Sequence, residues 1–303
     1  MNSSIYDYIK EIIPEENILF DEPMSRHTTF RVGGSAKCLL RVSSKEQMMK
    51  LVPFLQVTDQ EYFVLGNGSN LLVGDKGYPG IIVKLESAMG SVAVEDGRMR
   101  VPAGTLLSQT AAVARDSGLT GMEFASGIPG TVGGGIVMNA GAYGGEMKQI
   151  VESVEVMNRE GEILVLDNDT MEFGYRTSVI KNRPFIVLET VLRLVPGNRE
   201  EITARMEELA AKRREKQPLE YASAGSTFKR PEGYFAGKLI MDAGLRGFSI
   251  GGAQVSEKHC GFVINKGTAL AADIREVIEE VQRRVKEKFG VTLEREVIYL
   301  GEF

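Results

Sequence analysis

Residues 125–144 read ASGIPGTVGGGIVMNAGAYG, with seven glycines and no charged residue. Glycine gives up more conformational freedom on folding than any other residue, about 0.5–1 kcal/mol relative to alanine in a regular element. So dense a run needs a structural reason. Disorder does not supply it, because Ile128, Val132, Ile136, Val137 and Met138 are residues that bury, and low-complexity linkers lack them. What remains is backbone that turns sharply and approaches something closely. A shorter stretch, Gly66-Asn67-Gly68-Ser69-Asn70 followed by Leu71, has the same character and comes directly after a buried-type strand expected at 62–65. Its successive amides suit a nest around an anion, with Ser69 and Asn70 adding side-chain donors. A plain Asn-Gly turn is the alternative. Together, two uncharged glycine loops fit a large ligand carrying a pyrophosphate, its charge met by main-chain amides. The usual dinucleotide signatures are absent: Leu71 stands where the third glycine of G-x-G-x-x-G belongs, and no G-x-x-x-x-G-K-[ST] occurs.

Composition narrows the function classes. At 303 residues the chain has length for two or three domains, and 43% hydrophobic with 25% charged residues is ordinary for a globular protein. A net charge of −5 argues against a general nucleic-acid surface. No apolar run approaches the roughly 20 residues that cross a bilayer. The opening MNSSIYDYIKEIIPEE carries acidic residues and no apolar core with a cleavage site, so a cytoplasmic protein is expected. Two cysteines, Cys38 and Cys260, make no disulfide framework. With only His27 and His259 and no ligand-spaced pair, no metal site is expected. No G-x-S-x-G elbow supports a serine hydrolase. The side chains alone look insufficient for hard chemistry.

Along the chain the pattern is α+β. A short N-terminal helix and a strand at 36–42 precede Ser44-Lys45-Glu46-Gln47, a capping-box pattern opening a helix to about Leu55. A strand is expected at 81–85, then a hairpin turning at Asp96-Gly97, a helix at 105–116, and a second hairpin turning near Glu160-Gly161. A strand at 183–195, a charged helix at 199–216, a helix at 234–243 and a strand at 261–265 follow. The spacing of Ile274, Val277, Ile278, Val281, Val285 and Phe289 predicts a long amphipathic helix closed by Gly290, and 297–300 is a final strand.

The motifs GNGSNLL at 66–72, GIPGTVGGGIVMNAGAYG at 127–144, YRTS at 175–178, AGSTFKRP at 224–231 and LEREV at 293–297 occur in one order. In this combination the chain resembles the UDP-N-acetylenolpyruvoylglucosamine reductase (MurB) family of peptidoglycan synthesis. It lacks the insertion of about forty residues that bears a substrate-covering tyrosine in longer members, and so resembles the shorter, type II branch. The resemblance implies a three-domain α+β flavoprotein with a vanillyl-alcohol-oxidase (PCMH-type) FAD-binding fold. Residues 1–84 would form one FAD lobe, joined by the C-terminal strand 298–303. Residues 85–215 would form a second, and 216–297 an α/β substrate domain. It further implies noncovalent FAD, NADPH as hydride donor, and reduction of UDP-N-acetyl-3-O-(1-carboxyvinyl)glucosamine to UDP-N-acetylmuramate. A monomer is the expected state.

The resemblance assigns Gly66, Asn67, Gly68, Ser69, Asn70 and Leu71 to FAD. From the long run it assigns Gly127, Ile128, Pro129, Gly130, Thr131, Gly133, Gly134, Asn139, Gly141, Ala142 and Tyr143. Hydride arriving at the enolpyruvyl methylene leaves negative charge on the neighbouring carbon and its carboxylate. The site must stabilise that charge and protonate the carbon. Arg176 matches the family's active-site arginine, whose fork of donors suits a carboxylate. Glu296 matches the glutamate beside it and is expected to be protonated or hydrogen-bonded. Glu294 lies on the same face by strand period, so spacing does not choose between them. Ser226 matches the proton donor. Tyr175, Lys216 and Arg230 match substrate contacts, although Arg230 departs from the asparagine common there. Each of these residues has a plain structural reading as well: an ion pair, an exposed strand residue, a loop hydroxyl. A flavin oxidase of the same fold would share the glycine loops without the YRTS, AGSTF and LEREV set. A non-catalytic nucleotide-binding module would need the loops and none of the three polar residues.

Overall fold

The computed structural model describes residues 3–303. Seven α-helices occur among them: α1 (Ser3–Ile12), α2 (Lys45–Val57), α3 (Leu107–Asp116), α4 (Val132–Val137), α5 (Arg199–Lys216), α6 (Ala236–Asp242) and α7 (Ala271–Phe289). The local signals read from the sequence act as expected at several ends. At α2 the Ser44 side chain accepts from the Gln47 amide at 3.2 Å, and Gln47 Oε1 reaches back to the Ser43 amide at 2.8 Å. One orphan amide of that helix end, that of Gln47, is thereby satisfied, and the Gln47 side chain ties down the residue before the cap. At the end of α7, Gly290 takes the left-handed conformation (φ 70°) and its amide donates to Lys286 O at 2.9 Å.

The chain forms two compact units. The first comprises the described residues through Phe20 with Cys38–Asn67 and Gly80–Ala211; the second comprises Asp21–Lys37, Gly68–Pro79 and Lys212–Phe303. This division runs differently from the three segments 1–84, 85–215 and 216–297. Residues 21–37 and 68–79 join the C-terminal part, while 3–20, 38–67 and 80–211 share one unit. Each unit has its own apolar core, which is the physical criterion for a folding unit.

In the first unit an antiparallel five-stranded sheet runs in the order Ile163–Asp167, Val151–Met157, Ile186–Arg193, Arg98–Pro102, Ala93–Glu95. Both hairpins expected from the sequence are in it. At the first, Asp96 and Gly97 have φ of 47° and 75°, the two positive values that a two-residue type I′ turn demands. Tyr62–Leu65 pairs in parallel with Ile81–Lys84, as a crossover through other elements requires. Fully buried Met48, Leu51, Val52 and Leu55 of α2 pack in the same core as Val83, Met99, Val101, Val154 and Val156.

The long glycine run is not loop throughout. Its centre is helix α4, VGGGIV, a sequence with poor helix propensity at about 1 kcal/mol per glycine relative to alanine. Burial of Val132 and Ile136 offsets part of that cost, and Thr131 caps the helix by accepting from the Gly134 amide at 3.3 Å. After α4 the run folds into a small hairpin in which Ala142 faces Gly145 and Gly141 faces Glu146. Tyr143 and Gly144 form its turn with φ of 53° and 88°.

In the second unit an antiparallel sheet runs Ala222–Ser223, Val263–Asn265, Ala253–Val255, Ser249–Ile250. The apolar stripe of α7 belongs to this unit's core: Ile274, Val277, Ile278, Val281 and Val285 are fully buried there with Ile240, Ala253 and Val255. Leu71–Val73 pairs in parallel with Ile298–Leu300, so the last strand returns to the segment after the first glycine loop. Helix α6 begins at Ala236, two residues later than expected, because Phe235 is still extended (φ −116°, ψ 119°).

Candidate active site

Gly66 and Asn67 meet the long glycine run inside the first unit. Asn67 Nδ2 donates to Pro129 O at 2.6 Å, and a Cβ on Gly66 would collide with Thr131 Oγ1. Gly68, in the second unit, has φ 62°, and a Cβ there would strike the carbonyl oxygen of His27. Both glycines are therefore required by the protein's own close packing. Gly133 is similar, since its Cβ would lie 2.9 Å from that of Ala103. Gly134 differs: it is exposed, and its Cβ would meet only Thr131 Oγ1 at an ordinary 3.5 Å.

The main-chain donors of the two stretches also differ. In the first turn of α4 the amides of Val132, Gly133 and Gly134 donate to Thr105 O (2.8 Å), Ala103 O (2.9 Å) and Thr131 Oγ1 (3.3 Å). That helix end is spent on the protein. Among the described residues, by contrast, no main-chain hydrogen bond uses the amides of Asn67, Gly68, Ser69 or Asn70 as donors. Successive amides without protein acceptors are what an anion nest consists of. The donor set fits the pyrophosphate of FAD at 67–70, and the open surface over Gly134 fits close approach of an apolar or aromatic group.

Downstream in the run, Asn139 is 1% exposed and sits at φ 42°. Its Nδ2 donates to Gly174 O at 3.0 Å and its Oδ1 accepts from the Lys148 amide at 2.9 Å. The side chain, expected on the cofactor, clamps the segment that carries Arg176. Ile128 packs against the first unit's core, and Leu71 is buried in the parallel strand pair.

Gly174-Tyr175-Arg176-Thr177 is a tight turn. Gly174 and Thr177 exchange main-chain hydrogen bonds of 3.1 and 3.3 Å, and Arg176 has φ 54°. Positive φ at the third turn residue is the type II pattern, where glycine or asparagine is usual. An arginine there is strained by about 1 kcal/mol or more. The strain is held by the Asn139 clamp, by Lys181 Nζ donating to Arg176 O at 3.0 Å, and by Ser178 Oγ donating to Val137 O at 3.0 Å. The guanidinium reaches the small hairpin, with Nη2 3.4 Å from Gly141 O, and lies 5.4 Å from the ring centre of exposed Tyr175. Tyr175 and Arg176 are thus gathered with Gly141–Tyr143 in one unit.

The second unit gathers Ser226, Glu296 and Asn70. The Lys229 amide donates to Glu294 O and the Glu296 amide to Thr227 O, both at 2.9 Å, so 227–229 and 294–296 run antiparallel. Asn70 Nδ2 donates to Glu296 O at 2.9 Å and the Ile298 amide to Asn70 O at 3.0 Å. Ser226 is exposed between left-handed Gly225 (φ 73°) and fully buried Thr227. The Thr227 amide donates to Gly261 O at 2.8 Å, and its hydroxyl accepts from the Val263 amide at 3.0 Å. An exposed hydroxyl thus stands next to a buried residue held by two hydrogen bonds.

The structure separates the two glutamates that spacing left equal. Glu294 has a 69% exposed side chain and bonds Lys229 Nζ at 2.8 Å, which holds its carboxyl below the usual carboxylate range. Glu296 is half-buried and its main chain is fixed to Thr227 and Asn70. Lys216 ends α5 as an exposed cation, and Arg230 is exposed with its guanidinium 4.0 Å over the ring of Phe235. His259, not a candidate from the sequence, lies on the loop that receives Thr227. Its Nδ1 accepts from the Gly261 amide at 3.1 Å, which places any single proton on Nε2, and burial lowers its pKa. Among the described residues no cluster suits a metal ion, and no helix is long and apolar enough to cross a membrane.

Comparison with known proteins bears on this arrangement. The model of an FAD binding domain matches residues 36–167, and that of the UDP-N-acetylenolpyruvoylglucosamine reductase C-terminal domain matches 217–300. The UDP-N-acetylenolpyruvoylglucosamine reductase of Caldanaerobacter subterraneus subsp. tengcongensis is 52% identical over 302 residues, covering 100% of both chains. That of Clostridioides difficile is 50% identical over 301 residues, covering 99% of each. The crystal structure of UDP-N-acetylenolpyruvylglucosamine reductase (MurB) from Thermus caldophilus aligns with a TM-score of 0.79 at 37% identity, covering 93% of this chain and 98% of that one.

Proposed function

This chain belongs to the UDP-N-acetylenolpyruvoylglucosamine reductase family, and from that premise we propose that Arg176, Ser226 and Glu296 carry its chemistry. The protein is an FAD-dependent oxidoreductase of peptidoglycan synthesis with the α+β, PCMH-type FAD-binding fold. It reduces the enolpyruvyl ether of a UDP-N-acetylglucosamine with NADPH as hydride donor. FAD, when bound, carries the hydride between the two.

The chain's own residues have three tasks. Asn67–Asn70 offer the amides for the pyrophosphate, and Gly127–Tyr143 offer a surface without bulky side chains beside Gly134. The second task is charge. Arg176, fixed in its strained turn, presents a bidentate cation to the substrate carboxylate as negative charge grows there. Glu296 beside a developing dianion is stabilising only as a hydrogen-bond donor, so we assign it the protonated form in the substrate complex. The third task is protonation of the carbon, assigned to the Ser226 hydroxyl. The observation that supports this reading is the antiparallel contact of 227–229 with 294–296, in which the Glu296 amide donates to the carbonyl of Thr227, the residue after Ser226. Tyr175, Lys216 and Arg230 are assigned to the substrate, the two cations to its diphosphate. In the domain reading, 216–297 is the substrate-binding region and 1–84 and 85–215 the FAD lobes. The 217–300 match supports the first of these. The reading extends to a cytoplasmic monomer, to be checked by light scattering and cell fractionation; neither cysteine forms a disulfide.

The test is rapid-mixing spectroscopy of Ser226→Ala. Flavin reduction by NADPH needs no proton on carbon and stays near wild type. Reoxidation by the enolpyruvyl substrate slows by at least the roughly 10²–10⁴-fold typical of general acids, and Ser226→Cys recovers part of the rate. Normal reoxidation of Ser226→Ala removes the serine from the mechanism.

A further inference from the structure

We propose that Asn70 is a positioning residue for Glu296, so that the loop receiving the FAD pyrophosphate also sets the carboxyl that serves the substrate. This rests on the reading that Glu296 acts on the substrate carboxylate. Asn70 closes the first glycine loop and lies in the second unit with Glu296. Its side chain, expected on the cofactor, uses a donor within the protein: Nδ2 donates to Glu296 O at 2.9 Å. Its carbonyl accepts from the Ile298 amide at 3.0 Å. One residue thus grips 296–298 at two points.

Glu296 needs that grip because regular pairing starts beyond it. The parallel ladder begins at Ile298, opposite Leu71, and runs to Leu300, opposite Val73. Ahead of the ladder, the Glu296 amide donates to Thr227 O at 2.9 Å and its carbonyl takes the Asn70 hydrogen bond. The peptides on both sides of its Cα are thereby fixed. Val297 is buried in the core of this unit, and strand alternation turns the neighbouring Glu296 the other way. In the loop itself, the amides of Gly68, Ser69 and Asn70 donate to no main-chain acceptor among the described residues. Gly68, at φ 62°, leaves no room for a Cβ beside His27 O. An anion seated on these amides holds the same residue whose side chain holds Glu296. A reacting group displaced by about 1 Å loses on the order of 10²-fold in rate. A tether on Glu296 therefore has a kinetic consequence without touching the substrate.

The test uses FAD-loaded Asn70→Ala and Asn70→Leu in rapid-mixing assays. Asn70 is not left-handed, so neither replacement strains the backbone, and leucine keeps the shape without the donor. Flavin affinity changes by less than about three-fold, below the contribution of one hydrogen bond, and reduction by NADPH stays near wild type. The limiting rate of reoxidation by the enolpyruvyl substrate falls by about 10- to 100-fold. The half-saturating substrate concentration stays close to wild type, the signature of an interaction made in the transition state. In a Glu296→Ala background, Asn70→Ala lowers the rate by less than about two-fold more, because the tether then has no carboxyl to place. Reoxidation at the wild-type rate in both Asn70 variants overturns the positioning role. An undiminished Asn70→Ala effect on top of Glu296→Ala overturns it as well and leaves Glu296 standing. Loss of flavin from both variants assigns the side chain to the cofactor and overturns the proposal too. Wild-type reoxidation by Glu296→Ala overturns the reading of Glu296 itself, and this proposal with it.

Discussion

Arg176 gives the sharpest test, because its backbone and its side chain make opposite demands. The turn places it at φ 54°, where a residue with a Cβ is strained by roughly 1–2 kcal/mol and glycine is not. Glycine in turn loses more entropy on folding, about 0.5–1 kcal/mol relative to alanine. The two terms leave Arg176→Gly more stable than Arg176→Ala by about 0.5–1 kcal/mol. Both variants lose the same side-chain contacts, to Gly141 O and Tyr175, so their difference isolates the backbone term. For a folding unit of 150–250 residues, 1 kcal/mol is about 2–4 °C in Tm. The expected gap is therefore about 1–4 °C, measured on the apo-protein to exclude cofactor linkage. In rapid-mixing assays both variants lose substrate-dependent flavin reoxidation while keeping reduction by NADPH. If Arg176→Ala melts at or above Arg176→Gly, the strain argument fails. If both reoxidise normally, so does the assignment to the carboxylate.

The glycine loops give a matched pair. Gly134→Ala adds a methyl at ordinary van der Waals distance from Thr131 Oγ1 in a helix and raises apo-protein stability by about 0.4–1 kcal/mol, yet it lowers FAD affinity measured by flavin fluorescence. Unchanged affinity would remove Gly134 from the cofactor surface. Gly68→Ala collides with the His27 carbonyl and lowers the melting temperature whether or not FAD is present, so flavin loss in that variant says nothing about contact. Glu296→Gln changes the pH profile of substrate-dependent reoxidation, whereas Glu294→Gln removes only an exposed ion pair with Lys229 and leaves the profile alone. The opposite ranking would exchange their roles. For His259, burial depresses the folded pKa below its ordinary 6.5, so the unfolded chain binds the proton more tightly. Its stabilising contribution is full above the unfolded pKa and is lost as pH falls through the lower folded value. Melts of His259→Gln across that window should show a flatter acid limb than wild type; parallel limbs would refute it.

The local patterns were legible in the sequence. The Ser44 cap, the Asp96-Gly97 turn, the α7 stripe and the Gly290 stop each depend on residues within a few positions of one another, where helix and strand geometry fix who meets whom. The five motifs carried the family, and with it the cofactor and the reaction. What they did not carry was the reason for each residue. The glycines at 66, 68 and 133 are needed against Thr131, His27 and Ala103, groups 30 to 65 positions away. Helix α4 forms in a run of poor propensity because Val132 and Ile136 are buried, and burial is a tertiary quantity. Asn139, which the motif assigns to the cofactor, also clamps Gly174 in the fold, a contact its sequence neighbours do not announce. Strand period gave Glu294 and Glu296 the same face. Only the arrival of Lys229, and of Asn70 from 226 positions away, made one an exposed ion pair and the other an anchored, half-buried carboxyl. Sequence fixes what a residue offers within its own turn or strand. Which distant group it meets, and how much water is left around it, is set when the chain closes on itself.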